Sequence, residues 1–224
     1  MSHQLAFDLP AIEALGREDF FVSPANAHAV AMVENWQSWP SRKLALVGPS
    51  GAGKTHLAHV WAAQSGAQIV QATALPRLDI PTLAQANVAI EDVPMIAGNA
   101  EAEVALFHLH NLALAEGHSI LMTAHLPPSR WGLILPDLTS RVEGTANVIV
   151  ESPDDELLMA VLMKLFSDRQ LSPTPDTIPY LTRRIDRSFD MARQVVAALD
   201  HAALSQGREV NRKLAGEVLD GVMR

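Results

Sequence analysis

Eight consecutive residues, Gly48-Pro49-Ser50-Gly51-Ala52-Gly53-Lys54-Thr55, satisfy the pattern G-x-x-x-x-G-K-[ST] without a mismatch. Three glycines permit backbone conformations that a Cβ opposes, so successive N–H groups can turn inward onto phosphate oxygens. In such a loop the lysine, here Lys54, reaches the β and γ phosphates, and the Thr55 hydroxyl sits on Mg²⁺. The stretch therefore reads as a cradle for ADP or ATP with Mg²⁺, with His56 next in line on the same helix. A glycine-rich turn carrying a chance Lys-Thr is the competing reading.

A second constellation is Glu91-Asp92, which follows the apolar run Asn87-Val88-Ala89-Ile90. An apolar strand that delivers two carboxylates at its C-terminal edge is the Walker B arrangement. There the first acid, Glu91, positions the metal and the second, Asp92, polarises the attacking water. His125, after the run Ser119 to Thr123, is placed where a polar residue faces a γ-phosphate. Phe20 to Asn26, with Phe21 and Asn26 as the named contacts, is the candidate wall for an adenine ring, and ordinary core packing is the other reading of those aromatics. His56 and His59 share a helix face but lack a third ligand, and His108 and His110 do not share one, so a histidine metal site is not expected.

The elements that must hold these residues follow from periodicity. Lys43 to Val47 is a short apolar run between a Pro and a Gly, as expected of a buried parallel strand, and Lys54 to Ala63 has good helix formers and no breaker. Further strands are expected at Gln68 to Gln71, Asn87 to Ile90, Ser119 to Thr123 and Val148 to Val150, with a helix over Ala102 to Glu116. Alternating strands and helices imply a parallel, doubly wound α/β sheet. At Ser152-Pro153-Asp154-Asp155 the texture changes, and four helical patterns without a strand follow, Asp154 to Ser167, Asp176 to Arg184, Ser188 to Ser205 and Asn211 to Met223. The expected organisation is an amino-terminal peptide over 1–10, a nucleotide-binding domain over 11–151 and a small helical lid over 152–224.

Composition bounds the function. With 17 Lys and Arg against 25 Asp and Glu, the formal charge of −8 argues against a broad basic face that tracks nucleic acid. The absence of cysteine excludes disulfides, thiolate zinc sites and a cysteine nucleophile. No apolar run approaches the roughly 18 residues of a membrane span and no leader is evident, so a cytoplasmic protein with no membrane partner is expected.

The amino terminus is too apolar for a solvated tail. Gln4-Leu5-Ala6-Phe7-Asp8-Leu9 resembles the Q-L-x-[LF]-x-L peptide by which bacterial replication proteins dock on the sliding clamp of DNA polymerase III, through Gln4, Leu5, Phe7 and Leu9. A strand packed on its own domain is the alternative.

A P-loop sheet followed by an all-helical lid resembles the AAA+ ATPases. Gly53-Lys54-Thr55-His56-Leu57, Glu91-Asp92, Leu121 to Pro128 with its double proline, and Leu135-Pro136-Asp137-Leu138-Thr139-Ser140-Arg141 make it similar to the replication initiator DnaA and its shortened, Hda-type relatives. The resemblance implies a regulator that docks on the clamp and stimulates hydrolysis of DnaA-bound ATP. It casts Arg141 as an arginine finger acting on a neighbour's nucleotide and leaves self-association possible. The chain stops where a DnaA would begin its helix-turn-helix domain, so no sequence-specific DNA binding of its own is expected.

Four positions depart from the pattern, one of them Asp137, which occupies a place where DnaA itself carries a second arginine, so Arg141 alone is carried over as a finger. Glu91 stands where an Asp is usual, His125 where an acid is usual, and Asp190 where a phosphate-sensing arginine is expected, with Arg187 and Arg193 as possible substitutes. These departures imply weak or absent ATP turnover by the chain itself and a preference for ADP. A motor or helicase loader that hydrolyses its own ATP would carry the same motifs, as would a scaffold in which nucleotide is structural. Intrinsic ATPase activity and clamp binding separate the three.

Overall fold

The computed structural model describes residues 21–222. Five strands, β1 (Lys43–Val47), β2 (Gln68–Gln71), β3 (Val88–Glu91), β4 (Ile120–Ala124) and β5 (Ala146–Ile149), form one sheet in the order β2-β3-β4-β1-β5, every pairing parallel. Helices α1 (Ala27–Glu34), α2 (Lys54–Ser65), α3 (Ile80–Leu83), α4 (Ala100–Ala115) and α5 (Pro136–Glu143) cover its faces. The expected α/β doubly wound sheet is what the chain builds.

The two-residue period of β1 explains why its whole run is apolar. Leu44 and Leu46 enter the core beneath α1 and α2 with Leu57, Trp61 and Val148. Ala45 and Val47 enter the opposite core with Ile90, Met122, Leu106 and Leu109. A central parallel strand has a buried face on each side, so alternation disappears from its sequence.

Several boundaries differ from the sequence reading by one or two residues, among them those of β3, β4 (Ile120 to Ala124 rather than Ser119 to Thr123) and β5. β3 starts at Val88 and includes Glu91, which pairs in register with Gln71. β5 starts two residues earlier than expected, because Ala146 and Asn147 pair with Leu44 and Ala45 at the sheet edge, where a polar residue such as Asn147 is tolerated in solvent.

From α6 (Asp155–Asp168) onward every described element is helical, through α7 (Thr177–Thr182), α8 (Phe189–Gln206) and α9 (Arg212–Val222). These helices enclose their own core around Leu162, Phe166, Leu181, Val195, Val196 and Leu214. The cap of α6 is Asp154, whose carboxylate accepts from Leu157 N–H at 2.8 Å. Among the described residues no helix is long and apolar enough to cross a membrane.

Candidate functional site

The P-loop leaves β1 at its C-terminal end and enters α2 through Gly53, whose φ of 99° is left-handed. Gly48 is required for a different reason. A Cβ there would meet the carbonyl oxygen of Val150 at 2.1 Å, so the loop is wedged between the ends of β4 and β5. The Gly48 N–H donates to Ala124 O at 3.1 Å and Val150 N–H to Val47 O at 2.7 Å.

Lys54, 7% exposed, folds back over the loop and donates to the carbonyls of Gly48 (2.8 Å) and Pro49 (2.7 Å). Its ammonium is thus held by main-chain acceptors in a site that phosphate oxygens would compete for. Burial pulls the Lys54 pKa below the usual lysine range, while the carboxylates of Asp92, Asp190 and Glu91 work against that. Thr55 is exposed at the start of α2 and His56 half-buried behind it; Pro49 and Ser50 are exposed, Ala52 buried.

The acid pair lies on the same edge of the sheet. Glu91 is buried, with Oε2 accepting from Gln71 Nε2 at 2.8 Å and Oε1 lacking any hydrogen-bond partner. A buried carboxylate oxygen left unpaired is costly unless something else engages it, and a hard cation fits that need. Asp92 adopts the left-handed conformation at φ 54°, uncommon for a residue with a side chain, and its N–H donates to Thr123 Oγ1 at 3.0 Å. Thr123, on the strand between β1 and β3, therefore fixes the acid's backbone; the sequence reading passed over it. His125 sits exposed just beyond Ala124, whose carbonyl receives the Gly48 amide.

Asn26 is 2% exposed and ties its own loop: Nδ2 donates to Phe21 O and Oδ1 accepts from Ser23 N–H, both at 2.9 Å. Phe21 itself is 40% exposed. The segment abuts the start of the helical half, where Glu151 N–H donates to Ala25 O at 3.4 Å.

The helical half reaches the P-loop through the start of α8. Phe189 N–H donates to Gly51 O at 2.9 Å, and Ser188 Oγ crowds the space where a Gly51 Cβ would stand. Asp190, next on α8, adds a carboxylate near Lys54 and pairs with Arg193. Arg187 points elsewhere, paired with Asp155 at 2.8 Å and largely exposed.

Arg141 lies far from this edge. It belongs to the last turn of α5, is exposed, and packs its guanidinium 5.6 Å from the Phe107 ring centre, without an ion pair to Glu143. Its carbonyl accepts from Lys43 Nζ at 2.7 Å, at the first residue of β1. The P-loop begins at the other end of that strand, about 16 Å away at roughly 3.3 Å per residue. Gln4, Leu5, Phe7 and Leu9 lie outside the described residues. Among the described residues no group of three or more His, Asp or Glu forms a ready-made metal site.

A parallel five-stranded sheet with a phosphate loop after its interior strand β1, an acid-bearing β3 and an all-helical continuation define the α/β P-loop AAA+ fold. The particular resemblance is to DnaA. The crystal structure of domain III from the Thermotoga maritima replication initiation protein DnaA matches with a TM-score of 0.80 at 19% identity, over 95% of this chain and 98% of that one. AMPPCP-bound DnaA from Aquifex aeolicus matches with a TM-score of 0.67 at 17% identity, over 85% of this chain and 65% of that one. A replication initiator DnaA bound to AMPPCP and single-stranded DNA matches at 0.68 and 18%, over 85% and 67%. No family model matches the sequence. At these identities the likeness establishes the fold.

Proposed function

We propose that this chain is a nucleotide-binding AAA+ regulator of DNA replication initiation of the Hda type. It docks on the polymerase III sliding clamp through Gln4 to Leu9 and supplies Arg141 to stimulate hydrolysis of DnaA-bound ATP. The observation that carries the reading is that Arg141 and the P-loop occupy opposite ends of β1. A guanidinium so placed cannot serve its own chain's nucleotide, whereas it is free to enter a neighbour's. The DnaA structures matched above, two of them holding AMPPCP, support an adenine nucleotide as ligand.

ADP or ATP would bind across the P-loop, with its phosphates taking over the Lys54 donors that now satisfy Gly48 and Pro49. Thr55 and the unpaired Oε1 of Glu91 would hold Mg²⁺, which supplies neutralisation of phosphate charge when bound. Asp190 adds negative charge beside this site, which disfavours a third phosphate and keeps the chain's own turnover weak. On the neighbouring DnaA, water adds to the γ-phosphorus as the bond to the β-phosphate oxygen breaks. The Arg141 guanidinium, permanently charged and forked, stabilises the charge spread over the transferring group.

The test mixes Arg141→Ala protein with ATP-loaded DnaA, clamp and DNA, after nucleotide and clamp binding are shown to be intact. Comparable fingers are worth about 10³–10⁵ in rate, so stimulation should vanish. A parallel arm uses Leu5→Ala with Phe7→Ala, which should lose both co-elution with the clamp and stimulation. Undiminished stimulation by the Arg141 variant removes the finger; unchanged co-elution removes the clamp peptide.

A further inference from the structure

We propose that Lys43 is a positioning residue for Arg141: its buried ammonium, at the foot of β1, holds the main-chain carbonyl of Arg141 and thereby sets the direction in which the guanidinium leaves the molecule. The inference rests on the finger reading above.

A helix of eight residues is marginal on its own and its last carbonyls lack intrahelical partners. Helix α5 is instead held at both ends by buried charges. At its start, the Glu103 carboxylate, 0% exposed, accepts from Ile134 N–H at 2.9 Å and Leu135 N–H at 2.7 Å. At its end, Lys43 Nζ donates to Arg141 O. The pinned carbonyl belongs to the residue whose side chain must reach out, so any rotation of that last turn swings the guanidinium directly.

The supports come from one stripe. Glu103, Phe107 and His110 stand at i, i+4 and i+7 on α4, the spacing that keeps side chains on one helix face. Glu103 binds the entry to α5, Phe107 lies under the guanidinium, and His110 Nε2 sits 3.4 Å from Lys43 Nζ. His110 accepts there while its Nδ1 faces Asn111 Oδ1 at 3.4 Å, which requires the neutral ring protonated at Nδ1.

Lys43 is an expensive choice. It is 7% exposed, close to Arg141 and, among the described residues, in no ion pair with a carboxylate. A Met or Leu would extend the adjacent core without desolvating an ammonium. The cation is accounted for by what it holds: the Arg141 carbonyl and the His110 ring.

The experiment measures stimulated hydrolysis of DnaA-bound ATP as a function of the concentration of this protein, with clamp and DNA present. Lys43→Met should lower the maximal rate by about 10- to 100-fold, the scale of a misplaced catalytic group, and leave the half-saturating concentration within about twofold. Lys43→Arg, which keeps a cationic donor, should recover most of the rate. Lys43→Met should leave nucleotide affinity and co-elution with the clamp at the parent's values, because the lysine acts through Arg141 alone. A full maximal rate for Lys43→Met, or a loss of nucleotide binding or clamp co-elution by that variant, overturns the proposal while leaving the finger standing. Failure of both Lys43 variants to fold, read by thermal melting, overturns it too, since the lysine would then serve the fold rather than the finger. Retained stimulation by Arg141→Ala alone is the distinct result that strikes the finger reading itself.

Discussion

The amide of Phe189 donates to the carbonyl of Gly51 at 2.9 Å, so the first turn of α8 rests directly on the tip of the phosphate loop. The same turn presents Ser188 Oγ 1.9 Å from the position a Gly51 Cβ would take, and Gly51 has φ +69°. Glycine is therefore demanded here twice, by a left-handed backbone and by the approach of the helical half.

Gly51→Ala tests that contact. The left-handed strain and the clash with Ser188 together should destabilise the protein by about 1–3 kcal/mol in denaturant unfolding. Ser188→Gly should cost only a few tenths of a kcal/mol, since glycine is a tolerated cap. Combined, the two substitutions should recover part of the loss, and strict additivity would show that the contact carries no energy.

The phosphate loop, its flanking strand and helix and the acid pair were legible because each announces itself locally, by glycines at fixed spacing or by a short apolar run. What stayed hidden are relations between distant segments. Nothing about Ser188 or Phe189 says that they meet Gly51, and a helix cap is all that Ser188 offers in sequence. Glu103 reads as an acid in the first turn of an amphipathic helix, where the dipole favours it, yet it is fully buried and organises the entry to α5. Lys43 reads as the solvated end of a strand. Thr123 was hidden by the apolar run around it, although a hydroxyl in the central β4, beside β1, is the signal that could have singled it out.

Lys54→Ala should weaken both ADP and ATP binding by about 10- to 100-fold, the worth of one or two charge-assisted hydrogen bonds. Unfolding stability should change by less than about 1 kcal/mol, because loss of two hydrogen bonds is offset by no longer burying an ammonium. Titration calorimetry and thermal melting check both halves. Equal affinities in variant and parent would dismiss the loop as a phosphate site.

Burial, assisted by the nearby Lys43 ammonium, pushes the His110 pKa down from 6.5 to about 4, against a weak opposing contribution from Asn111. Between those pH values the unfolded chain binds a proton that the folded ring refuses. Stability is therefore fully present above pH 6.5 and declines as pH falls toward 4, by up to about 3 kcal/mol at roughly 1.4 kcal/mol per pKa unit. His110→Leu should flatten that part of the profile. Imidazole NMR gives the direct reading: a His110 ring that titrates near 6.5 would contradict the buried neutral form.

Asp190 carries the remaining prediction. It lies in the first turn of α8, where a carboxylate favours the positive end of the helix dipole, and it pairs with Arg193. It also lies near enough to Lys54 to oppose the downward shift that burial imposes on that ammonium. A γ-phosphate would bring further negative charge into the same region, while ADP ends one phosphate short of it. Asp190→Asn keeps the shape and removes the charge. With the carboxylate half-exposed and solvent screening the interaction, ATP affinity should rise by about three- to tenfold relative to ADP. The gain should shrink at high ionic strength, where the Debye length falls to about 3 Å at 1 M salt. The measurement is the pair of dissociation constants in variant and parent at low and high salt. An unchanged ATP-to-ADP ratio would show that Asp190 serves only the helix end and Arg193.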